Sequence, residues 1–106
     1  MQYDDLLKRA VEVRDMYDQV NAKNNRPQWN EADFMAGFVG DVGDLSKIIM
    51  AKRGLRKLDD VNAKLAHELS DCLWSVLILA DKYGIDLPTE FAKTMDGLKK
   101  RLQTEA

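Results

Sequence analysis

Residues 30–54 read NEADFMAGFVGDVGDLSKIIMAKRG, and this stretch carries the start, the apolar stripe and the stop signal of one long helix. Asn30 belongs to the residue types that favour helix N-caps, and Gly54 stands where a left-handed residue commonly follows a helix. Between them, apolar side chains recur at the three- and four-residue spacing of a helical face: Phe34, Met35, Phe38, Val39, Val42, Leu45, Ile48 and Ile49. The stretch therefore predicts an amphipathic helix of about twenty residues.

The segments on either side show the same helical periodicity. A first helix is expected over residues 3–22, followed by a polar loop over residues 21–28. After a short charged loop, Asp60 is expected to cap a third helix that ends at Gly84. The core face of this third helix is expected to consist of Leu65, Leu69, Cys72, Leu73, Val76, Ala80 and Tyr83.

A fourth helix is expected to begin at Asp86 or Leu87, with Pro88 in its first turn, where a missing N–H costs no hydrogen bond. Its apolar seam consists of Phe91, Met95, Leu98 and Leu102. Because no segment alternates as a strand would, the fold class is predicted to be all-α, most simply a four-helix bundle in one domain over residues 1–106. Helices of roughly 30 Å exceed what so short a chain covers alone, so oligomerisation is expected to complete the fold.

The overall composition limits the function classes. The chain is 45% hydrophobic and 32% charged, with 16 basic and 18 acidic residues and a net charge of −2. A protein that binds a nucleic-acid polymer through its phosphates would usually carry a basic excess, so no such partner is expected. The chain has no long apolar run, an acidic N-terminus and a single cysteine, Cys72. These features predict a cytoplasmic protein without a membrane partner.

Two pairs of acidic residues recur at the same spacing on the two central helices. Asp41 and Asp44 lie three residues apart, as do Glu68 and Asp71, so the members of each pair are neighbours on one helix surface. Residues at equal height in antiparallel helices joined by a short turn have a constant sum of residue numbers. The pairs Asp41–Asp71 and Asp44–Glu68 have the same sum, which predicts four carboxylates at one level, across a helix separation of roughly 8–10 Å.

Like charges gathered at one level repel one another, and bound cations would remove that conflict. All-oxygen ligands favour hard ions, so the pattern points to Mg²⁺, with Mn²⁺ as a second possibility. Mg²⁺ in such sites commonly binds together with substrate phosphates, which suggests metal-assisted phosphate chemistry. The alternative from the residues alone is that these acids lie on solvated helix faces, where the same spacing is common.

These residues resemble the MazG-like all-α nucleoside triphosphate pyrophosphatases, whose signature is an E-x-x-E pair on one helix and an E-x-x-D pair on the next. The resemblance rests on GDVGDL at residues 40–45, AHELSDCLW at 66–74 and YGIDL at 83–87, and it extends over residues 29–102. It implies hydrolysis of a nucleoside triphosphate to the monophosphate and pyrophosphate, with Mg²⁺ bridging the phosphates while an activated water attacks the α-phosphorus. The metal ligands and catalytic residues it implies are Asp41, Asp44, Glu68 and Asp71.

Two departures from the family pattern concern the first acidic pair. The chain has Asp41 and Asp44 where the family more often has Glu, and Gly40 where it often has an additional Glu. Gly37, Gly40 and Gly43 recur every three residues although each costs a helix interior about 1 kcal/mol relative to Ala. We therefore expect a close backbone approach at these glycines, which would offset the shorter aspartates.

Several other residues are candidates for binding a nucleotide, and each has a plainer alternative. Trp29 would stack on the base or else anchor the loop before the second helix. The cations expected near the phosphates, or else on a solvated surface, are Lys47, Lys52, Arg53, Arg56 and Lys93. His67 is expected to point away from the acids, and Cys72 to be an inert core residue. For the whole chain, the expected function is that of an enzyme acting as a homodimer or homotetramer. The alternative is a non-catalytic helical assembly module.

Overall fold

Four α-helices form the structure, a computed structural model that describes residues 1–105. They are α1 (Tyr3–Lys23), α2 (Glu31–Lys52), α3 (Val61–Lys82) and α4 (Leu87–Glu105). No strand occurs among the described residues, so the all-α prediction is confirmed. None of the four helices in this range combines the length and the apolar character that crossing a membrane requires.

The helix ends follow the capping residues that the sequence offers. The Asn30 side chain accepts from the backbone N–H of Asp33 at 3.0 Å, and the Asp33 carboxylate accepts from the N–H of Asn30 at 2.9 Å, which satisfies two free donors at the start of α2. Gly54 after α2 and Gly84 after α3 have φ of 77° and 65°, a left-handed conformation that costs glycine little. Asp60 occupies the N-cap position of α3, as expected, but its φ of 52° is left-handed and its side chain makes no capping hydrogen bond.

The first helix is longer than the sequence indicated, which corrects one expectation. Residues 21–22 were expected at the boundary between the first helix and the loop, and residue 23 in the loop alone, but all three belong to α1, which ends at Lys23. The Asn24 amide side chain donates to the carbonyl of Val20 at 2.8 Å, and the Asn24 backbone N–H also donates to this carbonyl, at 3.1 Å. These bonds extend the polar last turn, which apolar periodicity does not reveal.

Helix α3 lies between α1 and α2 and packs against both. A buried cluster of Ala10, Phe34, Leu77 and Ile78 joins the three helices. The indole N–H of Trp74 donates to the carbonyl of Ala10 at 3.0 Å, which adds a polar link between α3 and α1. These contacts hold α2 and α3 side by side along the faces that carry the acidic residues.

The fourth helix adds little to this common core. Within residues 87–105 no side chain is buried, and Phe91 and Leu102 remain 63% and 57% exposed. Leu87, at the start of α4, packs against the core cluster. The expected number of helices is therefore confirmed, but the described part of α4 does not close the bundle as a full fourth member.

Candidate functional site

Polar contacts at both ends fix α2 and α3 in antiparallel register. At one end, the Lys82 ammonium lies 3.6 Å from the Glu31 carboxylate. At the other, the Lys52 ammonium donates to the side-chain oxygen of Asn62 at 2.6 Å. The start of each helix thus lies beside the end of the other, which brings the middle segments with the acidic pairs to the same height.

The predicted acids form one cluster at the middle of this helix pair. Carboxylate oxygens of Asp41, Asp44 and Glu68 all lie within 4.8 Å of one another. A second group with the same spacing joins Glu68 to Asp71 and His67. Glu68 belongs to both groups and therefore links the four predicted carboxylates.

Burial and mutual repulsion both act on these carboxylates. Burial raises the pKa of Asp41, and the charges of Asp71 and Asp44 raise it further. The pKa of Glu68 is also raised, first by burial and then by Asp71, Asp41 and Asp44. Without a cation, the cluster therefore favours protonation of its most buried members.

One carboxylate oxygen of this cluster has the surroundings of a cation ligand. The Oε2 atom of Glu68 is buried and has no hydrogen-bond partner among the described residues. Burying a carboxylate oxygen without a partner is costly, and a bound cation would remove the cost. Asp41, Asp44 and Glu68 all offer carboxylate oxygens as ligand atoms. Such oxygens fit Mg²⁺ or Mn²⁺ better than a softer metal.

His67 lies closer to the acids than the sequence analysis expected. Its Nε2 atom lies 3.1 Å from Oδ2 of Asp71, one helical turn further along α3. The expectation that His67 points away from the acids is therefore wrong. Its imidazole is 72% exposed, so it lies at the rim of the cluster and can hold the Asp71 side chain in place.

An aromatic cleft of about 470 Å³ opens on one side of the cluster. Asp41 and Asp71 lie in its wall. Four rings, one each from α1, the loop before α2, α2 and α3, also line it: Tyr17, Trp29, Phe34 and Trp74. The ring centroids of Tyr17 and Trp29 are 5.0 Å apart in a stacked arrangement. Flat apolar walls of this kind suit a planar ring.

A second cavity, of about 590 Å³, opens on the other side of the same cluster, and we call it the basic cavity. Three acids, Asp44, Asp60 and Glu68, lie in its wall, next to Ile48 and Leu58. Its cationic side chains come from α2, the following loop and the start of α3: Lys47, Arg56 and Lys64. Each acidic pair thus has one member facing the aromatic cleft and one facing the basic cavity.

The structure separates the predicted substrate-binding residues into two groups. Trp29 lines the aromatic cleft, and Lys47 and Arg56 line the basic cavity. Lys52 instead binds Asn62, and Lys93 lies 3.5 Å from Glu90 on its own helix. Arg53 is exposed at the C-cap of α2, so these three cations line neither of the two cavities.

Some residues of the cavities were not singled out from the sequence. Phe34 was expected only on the apolar face of the second helix, and neither Tyr17 nor Lys64 was expected at the site. The spacing of Lys64 one turn before Glu68 would have been a usable signal. Nothing local connects Tyr17 on α1 to acids on α2 and α3, because that relationship arises only from tertiary packing.

Two further expectations concern the glycines of α2 and Cys72, which lie near the site. A Cβ atom built on Gly37, Gly40 or Gly43 would meet no atom within 4 Å other than those of adjoining residues and its own helix backbone. The expected close approach at these glycines is therefore absent within residues 1–105. Burial raises the pKa of the Cys72 thiol, and Asp41 and Glu68 raise it further, which disfavours the reactive thiolate.

Compared with known proteins, the chain matches no family model, no curated protein and no solved structure.

Proposed function

We propose that the protein is a metal-dependent nucleoside triphosphate pyrophosphohydrolase of MazG type, which releases a nucleoside monophosphate and pyrophosphate. The observation that carries the proposal is the position of the carboxylate cluster between an aromatic cleft and a basic cavity. A nucleotide has the same order of parts: a flat base, a central α-phosphate and an anionic tail. The resemblance to the MazG-like enzymes at residues 40–45 and 66–74 supports the same assignment.

The cluster itself would hold the metal. Asp41, Asp44, Glu68 and Asp71 are the ligands, and the unpartnered Oε2 of Glu68 is the clearest sign that a cation belongs there. Mg²⁺ would supply Lewis acidity and would offset the negative charge of the phosphates, which otherwise could not approach four carboxylates. The contact from His67 would keep Asp71 oriented toward the cluster.

The two cavities would position the substrate across the cluster. Trp29 and Tyr17 would stack on the base in the aromatic cleft and exclude water from that end. Lys47, Arg56 and Lys64 would bind the β- and γ-phosphates and stabilise the charge that develops on departing pyrophosphate. With both ends held, the α-phosphate lies over the carboxylates, where attack by water breaks the bond to the β-phosphate oxygen.

The experiment measures which phosphate products the purified protein releases from a panel of nucleoside triphosphates, with and without Mg²⁺. We expect pyrophosphate, and no orthophosphate, only when the metal is present. Asp71→Asn is expected to reduce turnover by about a hundredfold or more while the far-ultraviolet circular dichroism stays unchanged. The matched control is Asp96→Asn, an exposed acid on α4, which is expected to leave turnover unchanged.

Two outcomes would contradict the proposal. Release of orthophosphate would indicate that water attacks the terminal phosphate and not the α-phosphate. Absence of release from every nucleotide would favour the alternative of a non-catalytic assembly module, for which the exposed apolar side chains on α2 and α4 would be the reason.

A further inference from the structure

The chain exposes more surface than a self-sufficient protein of its size. Its accessible area is 8130 Å², whereas a monomer of 12.1 kDa is expected to expose about 6,000 Å². Its radius of gyration is 17.1 Å, against about 13 Å for a compact domain of this length. The surplus of roughly 2,000 Å² exceeds the roughly 800 Å² that each partner buries in a standard protein interface.

A seam on α2 that is apolar at four of its five positions accounts for part of this surplus. Its residues follow one another at alternating spacings of four and three: Met35, Val39, Val42, Ser46 and Ile49. The four apolar members are 44–60% exposed. Such 4-3 spacing is the pattern by which one helix packs along another. The acids of α2 lie toward α3, so this seam is separate from the candidate site.

We propose that a second copy of this chain covers the α2 seam, with the two α2 helices antiparallel about a two-fold axis next to Val42. In this arrangement Val42 meets Val42 of the second copy, and Met35 meets Ile49 at both ends. The seam is then its own complement, as an isologous interface requires. This inference does not depend on the proposed chemistry, because none of its residues belongs to the metal cluster.

Charges at the two ends of the seam favour the same arrangement. Glu31 lies at the first position of α2 and Arg53 directly after the last, both on the side of the helix that carries the seam. An antiparallel pair places Glu31 opposite Arg53 of the second copy, at each end. The Glu31 side chain is 45% exposed despite its contact with Lys82, so it can face a second cation. Antiparallel helices also oppose their dipoles.

The first test is the oligomeric state of the full chain, measured by analytical ultracentrifugation over a dilution series. We expect a dimer whose dissociation constant rises roughly a hundredfold or more in Val42→Glu, because the charge would be buried without a partner. The matched control is Met16→Glu, since Met16 is a 63% exposed apolar residue on α1 outside the seam. A monomeric parent, a Val42→Glu dimer of unchanged affinity, or equal weakening by Met16→Glu would overturn the proposal.

A second test does not require the charged variant to fold. Val42→Cys in a Cys72→Ser background places one thiol beside the axis, and mild oxidation is expected to link two chains. Met16→Cys in the same background is expected to stay unlinked. The register is tested by mixing Glu31→Arg with Arg53→Glu, which should form mixed dimers in several-fold excess over either variant alone. Failure of Val42→Cys to link, or absence of this preference, would overturn the antiparallel arrangement.

Discussion

The indole N–H of Trp74 on α3 donates a hydrogen bond to the carbonyl of Ala10 on α1, at 3.0 Å. Ala10 is 5% exposed, and the Trp74 ring lies between Tyr17 and Phe34 at centroid distances of 5.8 Å. The bond therefore sets the position of one wall of the aromatic cleft as well as the distance between two helices. Removing the donor should affect both stability and the cleft.

Trp74→Phe is expected to lower the free energy of unfolding by about 1–2 kcal/mol, because the hydrogen bond is lost together with part of the ring. The matched control is Trp29→Phe, which makes the same change of ring in the same cluster. We expect a smaller loss for this control, measured by urea unfolding followed by circular dichroism at one protein concentration. Equal losses in the two variants would mean that the bond to Ala10 contributes nothing measurable.

Two glycines of α2 should respond to alanine in opposite directions. Gly40 lies inside the helix with open space around its would-be Cβ, so Gly40→Ala is expected to stabilise the protein by about 0.5–1 kcal/mol. Gly54 has a φ of 77°, so Gly54→Ala is expected to destabilise it by about 1–2 kcal/mol. Thermal unfolding of both variants measures whether each substitution raises or lowers the stability. A destabilised Gly40→Ala protein would restore the idea of a close approach at this position.

Local signals in the sequence predicted the ends of the helices well but not the core face of α3. Leu69, Leu73 and Tyr83 were expected there and are 46–63% exposed, whereas Leu77 and Ile78 are buried. Asn30 and Gly54 mark the ends of α2 because capping and left-handed φ depend on the residue itself and its nearest neighbours. The convergence of Asp41 and Glu68 was also predictable, since a short turn between two long helices leaves one antiparallel register. His67 was misplaced although its spacing of four residues from Asp71 was a usable local signal.

Relationships between distant segments were the part that the sequence could not supply. Tyr17 reaches the candidate site only because α1 packs on α3, and no spacing along the chain encodes that distance. Amphipathicity likewise gave α4 an apolar seam without saying what covers it. Phe91 fits the seam pattern of a bundle helix, yet it remains 63% exposed. A periodic pattern identifies the apolar face of a helix, whereas its partner depends on the packing of the whole molecule.

Addition of Mg²⁺ should raise the melting temperature of the protein. A cation bound among Asp41, Asp44 and Glu68 removes their repulsion in the folded state only, and at a concentration of 100 times the dissociation constant it adds about 2.7 kcal/mol. Differential scanning fluorimetry over a Mg²⁺ titration measures the shift. Glu68→Gln should abolish it, whereas Asp96→Asn on α4 should retain it. An equal shift in both variants would indicate a general salt effect and would contradict a site at the cluster.

The metal-free protein should become more stable, through two of its groups, as the pH falls from neutral. Burial and neighbouring charges hold the pKa values of Glu68 and Asp41 above those of the unfolded chain. Between the unfolded and the folded pKa, the folded protein binds more protons than the unfolded one, so the free energy of unfolding decreases as pH rises. The contribution of these groups is therefore least favourable at neutral pH and improves as pH falls through their raised pKa values.

This contribution can be isolated by urea unfolding in chelator from neutral pH down to about pH 5, where ordinary carboxyl groups are still mostly ionised. Glu68→Gln removes one repelling charge and is expected to be more stable than the parent at neutral pH, with a flatter dependence on pH. Saturating Mg²⁺ should flatten the pH dependence of the parent's stability in the same way, because the cation favours the ionised carboxylates. If Glu68→Gln were less stable than the parent at neutral pH in chelator, Glu68 would be a partnered structural carboxylate and not a repelling one.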